Sequence, residues 1–435
     1  MAVSSSRWAR LFRMSPSAAR RAWVTATDQG LASLSNFAIT AVVGHVGGPA
    51  TLGAFAMAYT CWILLINLHR SLITDPMAIL GDARGPEITR HIQRGFAAEL
   101  SLGALATALM GAAGAVLLLL GDPVFGGGLL ALAPWIVPLE LQDYWRWIGF
   151  LRGEPSKSLL NDVVFDVVQL VAVIVVLLLH AGNVFWVLAA WGVGALIAAC
   201  YGLRQFHVRP TLAGGARLIW ERWRLSKWLV SGSLSGWAAT TVSSVFVASV
   251  LGASALGGLK AANTLAWAPL AVVVQAGTSF GLPEATRMLA EQGLHGLRRV
   301  SYLLSWATTA VAGVSGLVIL LFGQMLLRLL FGPGFGRYAL VALILAVSFM
   351  FATLALGPHL SLKALGCVRA FFGLQAGTTA LSLVATVAMA SVWGIDGAAG
   401  AAVATSAASL VLFVLVLRSA EARQGAGPAG RLAAS

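Results

Sequence analysis

Charged side chains are scarce in this sequence. Asp, Glu, Lys and Arg make up 10% of its 435 residues, where a soluble globular protein carries roughly 25%. A surface this poor in charge, on a chain that is 58% hydrophobic, excludes a soluble enzyme and a disordered protein. Cysteine is almost missing too. Cys61, Cys200 and Cys367 stand singly, and neither CxxC nor HExxH occurs. A disulfide framework and a zinc motif are therefore not expected, and no metal is assigned from spacing. Lysine occurs four times, as Lys157, Lys227, Lys260 and Lys363. Only Lys157 precedes a Ser or Thr, and Ser156 stands where a phosphate-binding loop needs glycine. With no GxxxxGK[ST] and no extramembrane stretch of domain size, neither an ATP-driven pump nor a soluble catalytic domain is expected, and no cofactor is assigned.

What the chain does have is apolar runs long enough to cross a bilayer, which takes about 20 residues. Twelve are readable, at 23–46, 51–73, 97–120, 128–150, 160–181, 183–203, 228–251, 257–282, 301–323, 338–357, 370–392 and 396–417. They lack the alternation of barrel strands and are twice too long for them, so helices are expected.

The formal net charge of +13, from 29 Lys and Arg against 16 Asp and Glu, could indicate nucleic-acid binding. Its distribution argues otherwise. With twelve spans and a cytoplasmic N-terminus, 26 of the 29 basic residues fall on the inner side, leaving Lys260, Arg328 and Arg337 outside. That bias is topological and excludes a nucleic-acid partner. It predicts a multi-pass protein of the cytoplasmic (inner) membrane with both termini cytoplasmic. Residues 1–22, holding Arg7, Arg10, Arg13, Arg20 and Arg21, read as a retained basic tail without a cleavage site.

The chain divides near its longest basic inner loop. Residues 23–204 form one six-helix lobe, 205–227 a basic amphipathic linker, 228–417 a second lobe and 418–435 a cytoplasmic tail. GPATLGAFAMAYT at 48–60 and GASALGGLKAANT at 252–264 match at Gly48/Gly252, Leu52/Leu256, Gly53/Gly257, Ala58/Ala262 and Thr60/Thr264, a constant offset of 204. Six spans return the chain to its starting side, so the repeats are parallel. The predicted fold class is all-α: about twelve transmembrane helices in two six-helix parallel repeats around a central cleft. Residues 215–228 interleave Arg217, Arg222, Arg224 and Lys227 with Trp220, Trp223 and Trp228, the pattern of a helix lying in the headgroup layer. Residues 283–299 read as a second such segment.

Ionisable groups inside spans are the candidates for function. Glu140, Asp143 and Arg146 follow at intervals of three, on one helical face. Asn161, Asp162 and Asp166 open the fifth span. Such residues either pin helices together as ion pairs or form a polar cleft wall, with Arg146 and Arg152 attracting an anion. Asp28 in the first span is a candidate ion-coupling acid or a helix cap. Arg70, beside His69 in the second span, either snorkels or binds substrate. Lys260 is the one lysine on the outer side, with Asn263 a turn further on.

DQGLASLSNFAITAVVGHVGGPATLGAFAMAY resembles the first helical hairpin of bacterial polysaccharide flippases, of the multidrug/oligosaccharidyl-lipid/polysaccharide exporter superfamily, through Gly48, Pro49, Gly53 and Phe55. LQDYWRWIGFLRGEPSKSLLND, at 141–162, resembles that family's fourth span, inner Arg-Gly turn and fifth-span start, and SLKALGCVRAFF, at 361–372, the matching turn of the second half. Where such proteins often place a basic residue, this chain has His45. The resemblance implies alternating access between two lobes. It also implies a polyprenyl-pyrophosphate-linked oligosaccharide, turned from the inner to the outer leaflet, as substrate. Membrane lipids, and a polysaccharide polymerase or glycosyltransferases, are the implied partners. The alternatives are a cation-coupled small-molecule antiporter of the same superfamily and a non-transporting scaffold of envelope assembly.

Overall fold

The structure is a computed structural model that describes residues 16–80, 88–179, 183–209 and 211–425. Among these all regular structure is helical: α1 (Pro16–Leu72), α2 (Thr74–Leu80), α3 (Ile88–Leu119), α4 (Pro123–Leu132), α5 (Ile136–Leu151), α6 (Pro155–Leu178), α7 (Val184–Gln205), α8 (Gly215–Leu251), α9 (Ala253–Phe331), α10 (Ala339–Leu354), α11 (Leu356–Ala364) and α12 (Val368–Gly425). Helices and crossings do not correspond one to one. The paths of α1, α9 and α12 break at Gly48, Gly293 and Gly394. α4 and α5 make a single crossing through a short 3-10 turn, and α10 continues into α11. Among the described residues eight stretches are apolar and long enough to span a membrane, and two of them, Ser33–Leu80 and Arg369–Arg423, contain a glycine break that divides them into two crossings. α8 and the part of α9 before Gly293 are further long helices packed beside these. Large apolar side chains such as Leu119, Leu178, Leu320 and Val384 point outward, where hydrocarbon would meet them.

The repeat is visible in the backbone. Gly48 (φ 74°, ψ −174°) and Gly252 (φ 84°, ψ 174°) make the same sharp reversal 204 residues apart. A side chain is rarely tolerated at such φ values, so both turns require glycine. Immediately beyond them the two halves meet. A Cβ on Gly53 would overlap the carbonyl oxygen of Ala253, and a Cβ on Gly257 would overlap that of Pro49. The offset of 204 exchanges these two contacts, so one pseudo-twofold axis relates them. Around this point Phe331 and Phe335 pack against Gly44, and Tyr338 donates to the Ser254 carbonyl at 2.9 Å. Here the interface between the halves is closed by backbone contact and aromatic packing.

The opposite end carries the basic loops. Its core is a separate apolar cluster of Ile73, Met77, Ile92, Phe96, Tyr144, Trp145, Ile148, Phe206 and Leu218. Trp145 stacks between Phe96 and Phe206 at 5.7 and 5.6 Å and donates its indole N–H to the Ala199 carbonyl at 3.0 Å. The segment 215–228, expected to lie flat as a separate helix, is instead the first turns of α8, which runs unbroken to Leu251. Its Arg and Trp residues continue the helical period of the following span, and Gly215 packs directly on the backbone of Ala97 and Ala98, which fixes its direction. Likewise 283–299 is no independent helix; it is the end of one crossing and the start of the next, divided at Gly293.

Gly53→Val and Gly257→Val should each force the halves apart at the reciprocal contact. A loss of about 1–3 kcal/mol, typical of overpacking, is expected in thermal unfolding of the detergent-purified protein. Wild-type melting in both variants would show that the contact does not hold the closed end.

Candidate functional site: a buried layer of charges

Close-spaced polar side chains gather at the basic end, between α1, α3, α5 and α6. The three-residue spacing in α5 puts Glu140, Asp143 and Arg146 on adjoining turns, and each reaches a different partner. Glu140 approaches His69 of α1, Oε2 to Nδ1, at 3.3 Å, and Glu99 of α3 holds the same nitrogen at 2.7 Å. All three are buried, Glu140 at 1% exposure and Glu99 at 3%. Asp143 accepts two hydrogen bonds from Arg70, at 2.8 Å from Nε and 2.5 Å from Nη2. This fork geometry is the strong form of the Arg–carboxylate pair. The Arg70 guanidinium also lies over the Trp147 ring, 5.2 Å from its centroid. Arg146 bridges to Asp162 of α6 at 2.9 Å.

Amide side chains extend the layer. Gln142 donates to Asp162 at 2.7 Å and to Asn161 at 3.4 Å, and Asn161 donates to the Ala198 carbonyl of α7 at 2.9 Å. Further along α6, Asp166 accepts from Gln169 at 2.7 Å, and Gln169 also bonds the Ser35 hydroxyl of α1. The charges thus tie five helices of the first half together. An ionised side chain buried alone would be very unfavourable, whereas a paired one is tolerated when geometry and further hydrogen bonds are good.

The candidate residues therefore divide. Arg70, Glu140, Asp143, Arg146, Asn161 and Asp162 come together in the layer, and Asp166 lies nearby on α6. Arg152 stands apart. Its Nε is 3.5 Å from Glu154 in the turn before α6, and its guanidinium lies over Phe206. Arg146 and Arg152 each engage a carboxylate of their own, Asp162 and Glu154. Asp28 lies on α1, but its side chain falls outside the described residues. His69 and Glu99 were not singled out by spacing. The one signal for Glu99 was an acid two residues inside the third span.

Lys260 differs from both arginines. It lies on α9, in the second half, with its Nζ 4.5 Å from the ring centroid of Tyr59 in the first half. Among the described residues it forms no ion pair. Tyr59 belongs to an aromatic group with Trp62 and Trp191, at 5.5 and 5.9 Å. The buried Trp62 indole N–H has no hydrogen-bond acceptor among the described residues. Asn263, one turn beyond Lys260, is half-buried.

No protein-family model matches the chain, and no curated protein is similar to it in sequence. Solved structures do match its fold. An inward-facing multidrug resistance MATE family transporter of the MOP superfamily superposes with a TM-score of 0.73 at 14% identity, covering 92% of this chain and 96% of that one. The lipid II flippase MurJ in an inward closed conformation gives 0.70 at 9% identity, over 93% and 89%. A MOP superfamily transporter from Pyrococcus furiosus gives 0.64 at 12% identity, over 95% and 97%. The chain is a multi-pass membrane protein with the fold of MOP superfamily transporters, built as two parallel six-helix repeats. The matched proteins are transporters, not enzymes.

Arg146→Ala should destabilise the protein by about 3–5 kcal/mol, because it leaves Asp162 buried without its cation. The double replacement Arg146→Leu with Asp162→Leu should recover most of that loss. A thermal-unfolding comparison in detergent checks both, and a single variant as stable as wild type would show that the pair is not a structural tie.

Proposed function

We propose that this protein is a membrane flippase for a polyprenyl-pyrophosphate-linked oligosaccharide, carrying it from the inner to the outer leaflet by alternating access for surface polysaccharide synthesis. The observation that carries this reading is Lys260. Arg70 and Arg146 are paired with Asp143 and Asp162, while Lys260 faces an aromatic ring and, among the described residues, no carboxylate. A cation–π contact supplies about 0.5–2 kcal/mol, far less than hydration of an ammonium. An anionic group arriving between the halves would restore the balance, and pyrophosphate is such a group. The aromatic faces of Tyr59 and Trp62, and the Trp62 indole N–H that has no acceptor among the described residues, suit an adjoining sugar, while the polyprenyl tail stays in lipid.

The closed contact at Gly53 and Gly257 supports access from the basic end, which the charge bias assigns to the cytoplasm. Alternating access then requires that contact to part and the basic end to close. The energy would come from the membrane potential, an ion gradient or consumption of the product. A polysaccharide polymerase or glycosyltransferases would act on either side of this step. A second reading, a cation-coupled antiporter for small molecules, is favoured by one observation: buried Asp166 with Gln169 and Ser35, a polar set able to hold a cation.

Lys260→Ala should abolish display of the surface glycan in cells while the protein remains in the membrane at normal abundance, and Lys260→Arg should retain display. Unchanged glycan in Lys260→Ala overturns the assignment. Altered drug susceptibility with unchanged glycan in a deletion strain would establish the antiporter instead.

A further inference from the structure

The trio of His69, Glu99 and Glu140 is not explained by the flippase reading. It comes from three helices, and its residues stand 30 and 41 positions apart in the chain. Donor atoms of the three, one from each residue, lie within 4.8 Å of one another. One imidazole nitrogen and two carboxylate oxygens are a donor set for a divalent transition metal.

All three donors are buried, His69 at 4%, Glu99 at 3% and Glu140 at 1% exposure. The neighbouring cation, Arg70, is engaged by Asp143. A second observation points to a ligand: Glu140 has an Oε1 atom without a hydrogen-bond partner among the described residues. A buried acceptor left unsatisfied is unfavourable by about 1–3 kcal/mol, more for a charged group, and a metal or its bound water would satisfy it.

We infer that His69, Glu99 and Glu140 form a binding site for one divalent transition-metal cation of the zinc class. His69 Nδ1 supplies the nitrogen and each carboxylate one oxygen; a water completes the coordination. The metal takes the ligands in their deprotonated forms, so any proton that the trio holds leaves to solvent as the ion enters. Because the three ligands sit on α1, α3 and α5, the bound ion cross-links the basic end of the first half. The inference does not rest on the transported substrate.

The test uses full-length protein purified in detergent, stripped with a chelator, reloaded with Zn2+ and desalted. Metal analysis should find one ion per chain in the wild type, and the same in a variant with Cys61, Cys200 and Cys367 all replaced by serine. His69→Ala and Glu140→Gln should each retain less than a tenth as much. X-ray absorption at the zinc edge should show nitrogen and oxygen ligands without sulfur. If His69→Ala does not elute as a monodisperse species, Glu99→Gln, which keeps the side chain's shape, takes its place. Wild type that retains no zinc, or uptake unchanged in Glu140→Gln and Glu99→Gln, overturns the site. Loss of glycan in Lys260→Ala is a separate readout, so the two ideas fail independently.

Discussion

A charge in a low-dielectric interior must have a partner, and that constraint arranges the first half of this protein. Arg70 with Asp143, Arg146 with Asp162, and His69 with Glu99 and Glu140 are each joined across helices rather than within one. Their attraction stabilises little in sum, since desolvation offsets most of it. Its effect is directional. Once α5 presents Glu140, Asp143 and Arg146 at intervals of three, the faces that α1, α3 and α6 must turn toward it are fixed. Apolar packing alone would leave those rotations loosely specified, because lipid tails are as apolar as leucine.

The interface between the halves obeys a different rule. There the contacts involve the smallest residue, and two backbones approach as closely as atoms allow. The reciprocal pairing of Gly53 with Ala253 and Gly257 with Pro49 is what a tandem repeat produces when its copies meet about their own axis. Such a contact has no long side chains to disentangle. It can separate and re-form without passing through mismatched packings, which suits the opening that the proposed mechanism requires.

The fold was legible because its signals are long or repeated. Twelve apolar runs, the basic loops and the glycines at 48 and 252 each report on many residues or recur at fixed offset. The charge layer was legible only in part. Spacing disclosed the common face of Glu140, Asp143 and Arg146, since three residues make nearly one turn. It could not disclose that Asp143 meets Arg70, 73 positions away, or that Glu99 and Glu140 converge on one imidazole. Those meetings follow from how helices neighbour one another. That 215–228 continues into the following span was hidden for a related reason. Alternating arginine and tryptophan describe a face of a helix, and that face is the same whether the helix lies along the membrane or enters it.

That unbroken helix, α8, has a mechanical meaning. Its start rests on the first half, where Gly215 abuts Ala97 and Ala98 and Arg94 lies 3.9 Å from Glu221; its far end turns at Gly252 beside the reciprocal contact. At 1.5 Å per residue, its 37 residues make a rod about 55 Å long. A tilt of ten degrees about the glycine pivot would sweep the other end through about 10 Å. The segment that joins the two halves in sequence is therefore a crank rather than a tether. If the halves rock against one another, as the proposed alternating access requires, the crank has to slide across α3 or lift off it.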